Sequence, residues 1–257
     1  MPTSFVMALT PITSDRRHVF YEFNELGKRL KSTLGVHDGE QTVRVESLQL
    51  GGLGTNCYLL DAGKGLAIVI DPGAEAERIV ARLEERKLAP ALIVVTHGHA
   101  DHIGGIQGLR ERYPDAKIAI GRADAPALTS PRINQSLFIG LAIKVPKADR
   151  LVDDGETIAV GETTLKVIAT PGHTPGGVCL YAEDLDGKPA LFSGDTLFRE
   201  SVGRCDIAGG DWDRLVASLR GKLLTLPDAT VVYPGHGPVT TIAHEKKNNP
   251  FIGEESE

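Results

Sequence analysis

Cysteine is scarce in this chain. The 257 residues contain three, Cys57, Cys179 and Cys205, and so odd and sparse a set argues against a disulfide scaffold and for a reducing compartment. Long apolar runs are missing too, since nothing approaches the ~20 residues of a membrane span. The opening MPTSFVMALTP has no basic stretch before its short apolar run, so it does not read as a secretory signal. The expected location is the cytoplasm. Clustered positive charge is the third absence. The formal net charge is −6, and the densest basic stretches, Arg16-Arg17 and Lys28-Arg29-Lys31, are separated by Glu22 and Glu25. Phosphate backbones need a clustered basic face, so neither nucleic acid nor membrane is an expected partner. There is no internal repeat, low-complexity segment or linker that forces a second folded domain, and homo-oligomerisation is left open.

What remains is ordinary for a globular protein: 41% hydrophobic and 24% charged residues, at a length that buries roughly 70–75% of the unfolded surface. Residues 1–41 read as an N-terminal extension. Val19, Phe20, Phe23, Leu26, Leu30 and Leu34 recur near helical spacing, so 18–34 is expected to form an amphipathic helix packed on the domain or on a partner subunit. Residues 42–257 read as the main domain. Strands are expected over 43–50, 55–61, 66–73, 91–99, 116–121, 177–184, 189–195 and 229–236. A hairpin over 155–173 turns at Val160-Gly161-Glu162. Helices are expected over 74–88, 102–113 and 211–225, and the acidic tail FIGEESE should fray. Hairpins mixed with strand–helix alternation imply an α/β class in which two mixed sheets carry helices outside.

The chemistry sits at the ends of the strands. LIVVT runs into His97, His99, Asp101 and His102, LKVIATPG into His173, ALFSG into Asp195, and TVVYPG into His236. In an extended segment residues i and i+2 point the same way, so His97 and His99 can grip one ion. Asp101 and His102 stand where the chain has turned into a helix and can face a second. Gly104 and Gly105 remove side chains where backbone must pack closely. Imidazole and carboxylate donors without thiolate suit zinc, iron or manganese. Asp195 can offer one oxygen to each of two ions.

THGHADHIGG (96–105), TPGHTPGG, FSGDTLF and YPGHG, in that order, resemble the metallo-β-lactamase fold superfamily over about residues 43–251. The resemblance implies a four-layer αββα sandwich with metals at the sheet edges. It assigns His97, His99 and His173 to one metal, Asp101, His102 and His236 to a second, and Asp195 to a bridge. GDTLFRESVGRCDIAGGD (194–211) and YPGHGPVTTIAHEKKNNPF (233–251) are closest to short glyoxalase II-like hydrolases, which implies two divalent ions, zinc foremost, and a small-molecule thioester such as S-lactoylglutathione. Full-length glyoxalase II carries a C-terminal helical domain that helps hold glutathione. Here 21 residues follow His236, so the reaction class carries over better than the substrate.

The implied mechanism is attack on the thioester carbonyl by a hydroxide held between the metals, with Asp101 and Asp195 as ligands that also orient it. The leaving thiolate, with a conjugate acid of pKa roughly 8.5, needs no general acid. Arg204 is expected near an anionic substrate group or in a salt bridge. TSPRINQSLFIGL (129–141) is expected to wall the site, with Asn134, Ser136 and Phe138 facing substrate. Asp71 is expected to orient a ligand histidine, the three cysteines to pack, and His18, His37 and His244 to bind no metal. The alternative with the same fold is a persulfide dioxygenase, which holds one iron through the positions of His97, His173 and Asp195.

Overall fold

The structure, a computed structural model, describes residues 44–253. The helix expected over 18–34 and the rest of the N-terminal extension lie outside the described residues.

The chain first builds a mixed sheet. Strands β1 (Val45–Leu50), β2 (Thr55–Asp61) and β3 (Leu66–Ile70) run antiparallel, and β4 (Ala89–Val95), β5 (Lys117–Gly121) and β6 (Arg150–Val152) then add in parallel, in the spatial order β1-β2-β3-β4-β5-β6. Parallel addition requires crossovers, supplied by α1 (Ala76–Glu85) between β3 and β4 and by α2 (Ala100–Ile103) with α3 (Ile106–Arg112) between β4 and β5. The second sheet begins with the antiparallel β7 (Thr157–Val160), β8 (Thr163–Ala169), β9 (Val178–Leu185) and β10 (Lys188–Gly194). A small ribbon, β11 (Leu197–Phe198) with β12 (Ser201–Val202), leads to α4 (Trp212–Ser218), whose last turns continue as a π-helix over Leu219–Leu223. Then β13 (Val231–Pro234) pairs in parallel with β10 and antiparallel with β14 (Thr240–Thr241), and α5 (Ile242–Asn248) follows.

Period-two alternation assigns the strands to layers. Cys57 and Leu59 of β2 point to a core shared with Ile79 and Leu83 of α1 and Ile106 and Leu109 of α3. Tyr58 and Leu60, their neighbours, point the other way, to a core shared with Val167, Leu180 and Phe192 of the second sheet. A third core joins Cys179, Leu191 and Val232 to Leu215, Leu219 and Ile242 beneath α4 and α5. Three cores between four layers make the αββα sandwich. Each fully buried side chain such as Phe192 contributes roughly 1.5–3 kcal/mol, and Tyr58 meets Phe192 edge to face at 5.3 Å.

Three helices differ from expectation. The one expected over 102–113 is two, because the chain breaks at Gly104-Gly105 to pass the end of β3: Gly105 N donates to Pro72 O at 2.7 Å, and a Cβ on Gly104 would lie 2.4 Å from Gly73 O. The helix over 211–225 is continuous but changes to π pitch, with Asp211 capping it by accepting from Arg214 N. α5 was not expected. It is short, and Thr241 starts it by accepting from His244 N.

Candidate metal centre

The loops that leave β4, β8, β10 and β13 meet at one edge of the two sheets. They bring seven donors together. His97, His99 and His173 form one triad and Asp101, His102 and His236 another, each with its donor atoms within 4.8 Å of one another. Asp195 lies between them. Its Oδ1 is 3.4 Å from His102 Nε2, while its Oδ2 is 3.6 Å from both His173 Nε2 and His236 Nε2. His236 Nε2 lies 3.2 Å and His102 Nε2 3.5 Å from Asp101 Oδ2. Two ligand atoms about 2 Å from a shared ion stand roughly 3–3.5 Å apart, so these spacings fit metal coordination. The chemistry of the donors fits as well. His97 Nε2, His102 Nε2 and Asp195 Oδ1 are buried with no hydrogen-bond partner, and buried polar atoms left unpaired ask for a ligand.

Several of these donors are steadied by further partners. Asp71, at the end of β3, adopts φ 51° and accepts from Thr96 N at 2.7 Å, from Thr96 Oγ1 at 2.6 Å and from His102 Nδ1 at 3.0 Å. This is the expected role of Asp71. His173 Nδ1 donates to the Arg204 carbonyl at 2.7 Å. Thr55 Oγ1 donates to Asp101 Oδ2 at 2.9 Å. The Gln135 carboxamide lies 2.9 Å from His99 Nε2, opposite the Nδ1 that faces His173. Asp124 is buried and joins two ligand loops: its Oδ2 accepts from Gly98 N at 2.9 Å and its Oδ1 from Gly176 N at 2.7 Å. The His236 loop is held from the first sheet by Asn56, whose side chain donates to Pro234 O at 3.0 Å and Gly237 O at 2.9 Å. Gly235 has no room for a side chain, since a Cβ there would lie 2.3 Å from Asp195 Oδ1.

Charge follows from this packing. Burial and the neighbouring imidazoles hold His97 neutral, with its pKa far below the ordinary value, and the same causes push His99 down to about 3. Burial opposes charge on His102, but the carboxylates of Asp195, Asp101 and Asp71 outweigh it and raise its pKa. Burial likewise works against the anions of Asp101 and Asp195, and the surrounding imidazoles more than offset it, so both stay ionised below the usual carboxylate range. Neutral imidazoles at His97 and His99 beside the anions of Asp101 and Asp195 suit the binding of cations.

The Metallo-beta-lactamase superfamily pattern matches residues 50–236. The chain belongs to that superfamily. It is 33% identical over 220 residues to hydroxyacylglutathione hydrolase GloC of Haemophilus influenzae, a match covering 83% of this chain and 100% of the relative. Among solved structures, this superfamily member resembles BLEG-1 B3 metallo-beta-lactamase with a TM-score of 0.77 and 37% identity, covering 81% of this chain and 99% of that one. It resembles TTHA1623 in a di-iron-bound form with a TM-score of 0.72 and 39% identity, covering 81% and 100%. ETHE1 from Myxococcus xanthus matches with a TM-score of 0.65 and 32% identity, covering 80% and 83%.

The other expected residues divide. A cavity of about 400 Å³ opens over the donors, and Phe138, Arg204, Leu53, Ile139 and Ile207 line it. The Arg204 guanidinium pairs with Asp206 at 2.8 and 2.9 Å on the surface, so it is the main chain of Arg204 that touches a ligand. Asn134 also lines the cavity, but its side chain and that of Ser136 are bonded within the loop. The Asn134 amide donates to Ala127 O and Ile143 O, both at 2.9 Å, and Ser136 Oγ accepts from Ile143 N at 3.0 Å. Both are fully buried, because a compact loop must pair its own backbone internally. Cys57 and Cys179 are buried and Cys205 is half-buried against the third core. His244 pairs with Glu200 at 2.8 Å, while His18 and His37 lie outside the described residues.

Proposed function

We propose that this chain is a binuclear metallohydrolase that cleaves a small-molecule thioester, glutathione-derived and glyoxalase II-like, in the cytoplasm. The observation that carries the reading is Asp195, which turns one oxygen toward His102 and the other toward His173 and His236. A carboxylate so placed could serve two cations at once. His97, His99 and His173 would hold one, Asp101, His102 and His236 the other, with zinc foremost and iron or manganese also suited. When bound, such ions supply Lewis acidity and bring the pKa of water to around 7. Asp101, steadied by Thr55 and His236, orients the attacking water. Addition to the carbonyl and loss of the C–S bond yield a carboxylic acid and a thiol, and the thiolate leaves unaided. Phe138 walls the cavity, and Arg204, paired with Asp206 at its rim, contacts the substrate there. The full-length match to GloC supports thioester chemistry within a chain of this span.

The likeness to ETHE1 favours one second reading, a persulfide dioxygenase with a single iron at His97, His173 and Asp195. Metal content, measured beside a substrate panel of S-lactoylglutathione, other glutathione thioesters, glutathione persulfide and a β-lactam, separates the readings. Two ions per chain and thioester hydrolysis are expected. One iron with oxygen uptake on the persulfide, or β-lactam turnover exceeding that of every thioester, overturns the proposal.

A further inference from the structure

The loop beside the metal centre is inverted. Its polar residues Asn134 and Ser136 are fully buried, while Leu137, Phe138 and Ile139 are 54%, 78% and 60% exposed. The inversion is built in. Asn134 ties the loop to Ala127 and Ile143 and accepts from Ser136 N at 3.0 Å, and Gln135 and Gly140 turn the backbone through left-handed conformations at φ 66° and 74°. These bonds fix the apolar side chains outward, against the drive to bury them. Leu53, on the β1–β2 turn, is 66% exposed across the same opening. A contiguous exposed apolar patch on an otherwise polar surface marks a binding site. Phe138, Ile139, Leu53 and Ile207 line the cavity that also contains His99, Asp101 and Asp195, so the occupant reaches the reacting centre.

We infer that the substrate carries an apolar acyl chain, longer and less polar than lactoyl, which lies between Leu53 and the Phe138–Ile139 wall. This rests on the thioester reading above. The acyl side is assigned from the two cations that flank His99: Arg204, on the cavity of the apolar wall, is already paired with Asp206. A second cavity of about 300 Å³ shares His99 and is lined by Arg132 together with Asp124, Ala127, Ile133 and Pro175, and Arg132 is exposed with no ion pair among the described residues. An anionic group of the thiol carrier finds its uncommitted cation there, which leaves the Leu53 and Phe138–Ile139 wall to the acyl group. Water adds to the carbonyl, the C–S bond breaks, and the fatty acid and thiol leave.

Two measurements test this on the full, metal-loaded chain. The first is kcat/KM for acetyl, butyryl, hexanoyl and octanoyl thioesters of glutathione. The second is calorimetric binding of S-alkylglutathiones, thioethers that cannot be cleaved, with alkyl groups of the same lengths. Each added methylene is expected to improve both by about 2-fold or more. The octanoyl-to-acetyl ratio should fall at least 5-fold in Phe138→Ala and in Leu53→Ala. Flat series in both measurements, with S-lactoylglutathione still hydrolysed, overturn the inference and leave the thioester reading standing. Absence of turnover on every thioester, S-lactoylglutathione included, overturns the thioester reading and the acyl assignment with it, whatever the binding series shows. A flat series together with a dimer that Phe138→Ala dissociates assigns the patch to a second copy of the chain and also overturns it.

Discussion

Asp71 Oδ2 lies 3.0 Å from Nδ1 of His102, on the side of the ring away from the metal centre. The carboxylate therefore decides which nitrogen faces the second triad and raises its basicity. Asparagine tolerates left-handed backbone as aspartate does, so Asp71→Asn isolates the charge. It is expected to weaken the ion of the second triad about 10-fold or more. Metal titration should show one site retained and one weakened, and an unchanged two-site isotherm contradicts the role.

Asp124 bridges Gly98 and Gly176, one in the His97–His99 turn and one just past His173. Asp124→Ala leaves two backbone N–H groups without their acceptor, at a cost of roughly 2–4 kcal/mol in all. Urea unfolding should register that loss, and the first triad should bind its ion more weakly. Stability within about 0.5 kcal/mol of the parent would show the bridge to be idle.

Gly235 touches the centre without contributing a donor. A methyl group there would meet Asp195 Oδ1 at 2.3 Å and His102 Cε1 at 2.8 Å. Gly235→Ala is expected to displace both ligands and reduce turnover by about 100-fold or more, the scale of loss that follows misplacement near 1 Å. Gly221, with nothing within 4 Å of its would-be Cβ, is the control, and Gly221→Ala should keep turnover. Equal activity in the two variants would mean that the loop yields freely.

Removing the metals should loosen the fold as well as stop the chemistry. An ion held at 100 times its Kd stabilises by about 2.7 kcal/mol, which for a chain of this size is roughly 5–10 °C in Tm. Chelation should lower Tm by that amount and restored metal should recover it. A Tm indifferent to chelation contradicts a loaded native site.

The seven donors were legible in the sequence because each follows directly on a buried strand, where motif and strand end coincide. Asp71 was legible for the same reason. The partners that aim the donors were not. Gln135, Asp124 and Thr55 come from other segments, and only the closed sandwich brings them to His99, to Gly98 and Gly176, and to Asp101. The loop over 129–141 was legible as a wall but not in its orientation. Asn134, Ser136 and Phe138 all read as facing the substrate, yet the loop closes on the first two and turns Phe138 out. Among the helices, Gly104-Gly105 signalled close backbone contact without revealing that it ends a helix, and α5 carries too short a pattern to stand out beside its capping Thr241.

The central claim is that two ions share Asp195. The most direct test is the metal-to-protein ratio of the parent chain and of Asp195→Ala, measured on the same samples as thioester turnover. Two ions per chain are expected in the parent, and at most one in the variant, with turnover lost by about 100-fold or more. A variant that keeps two ions and normal turnover contradicts the account.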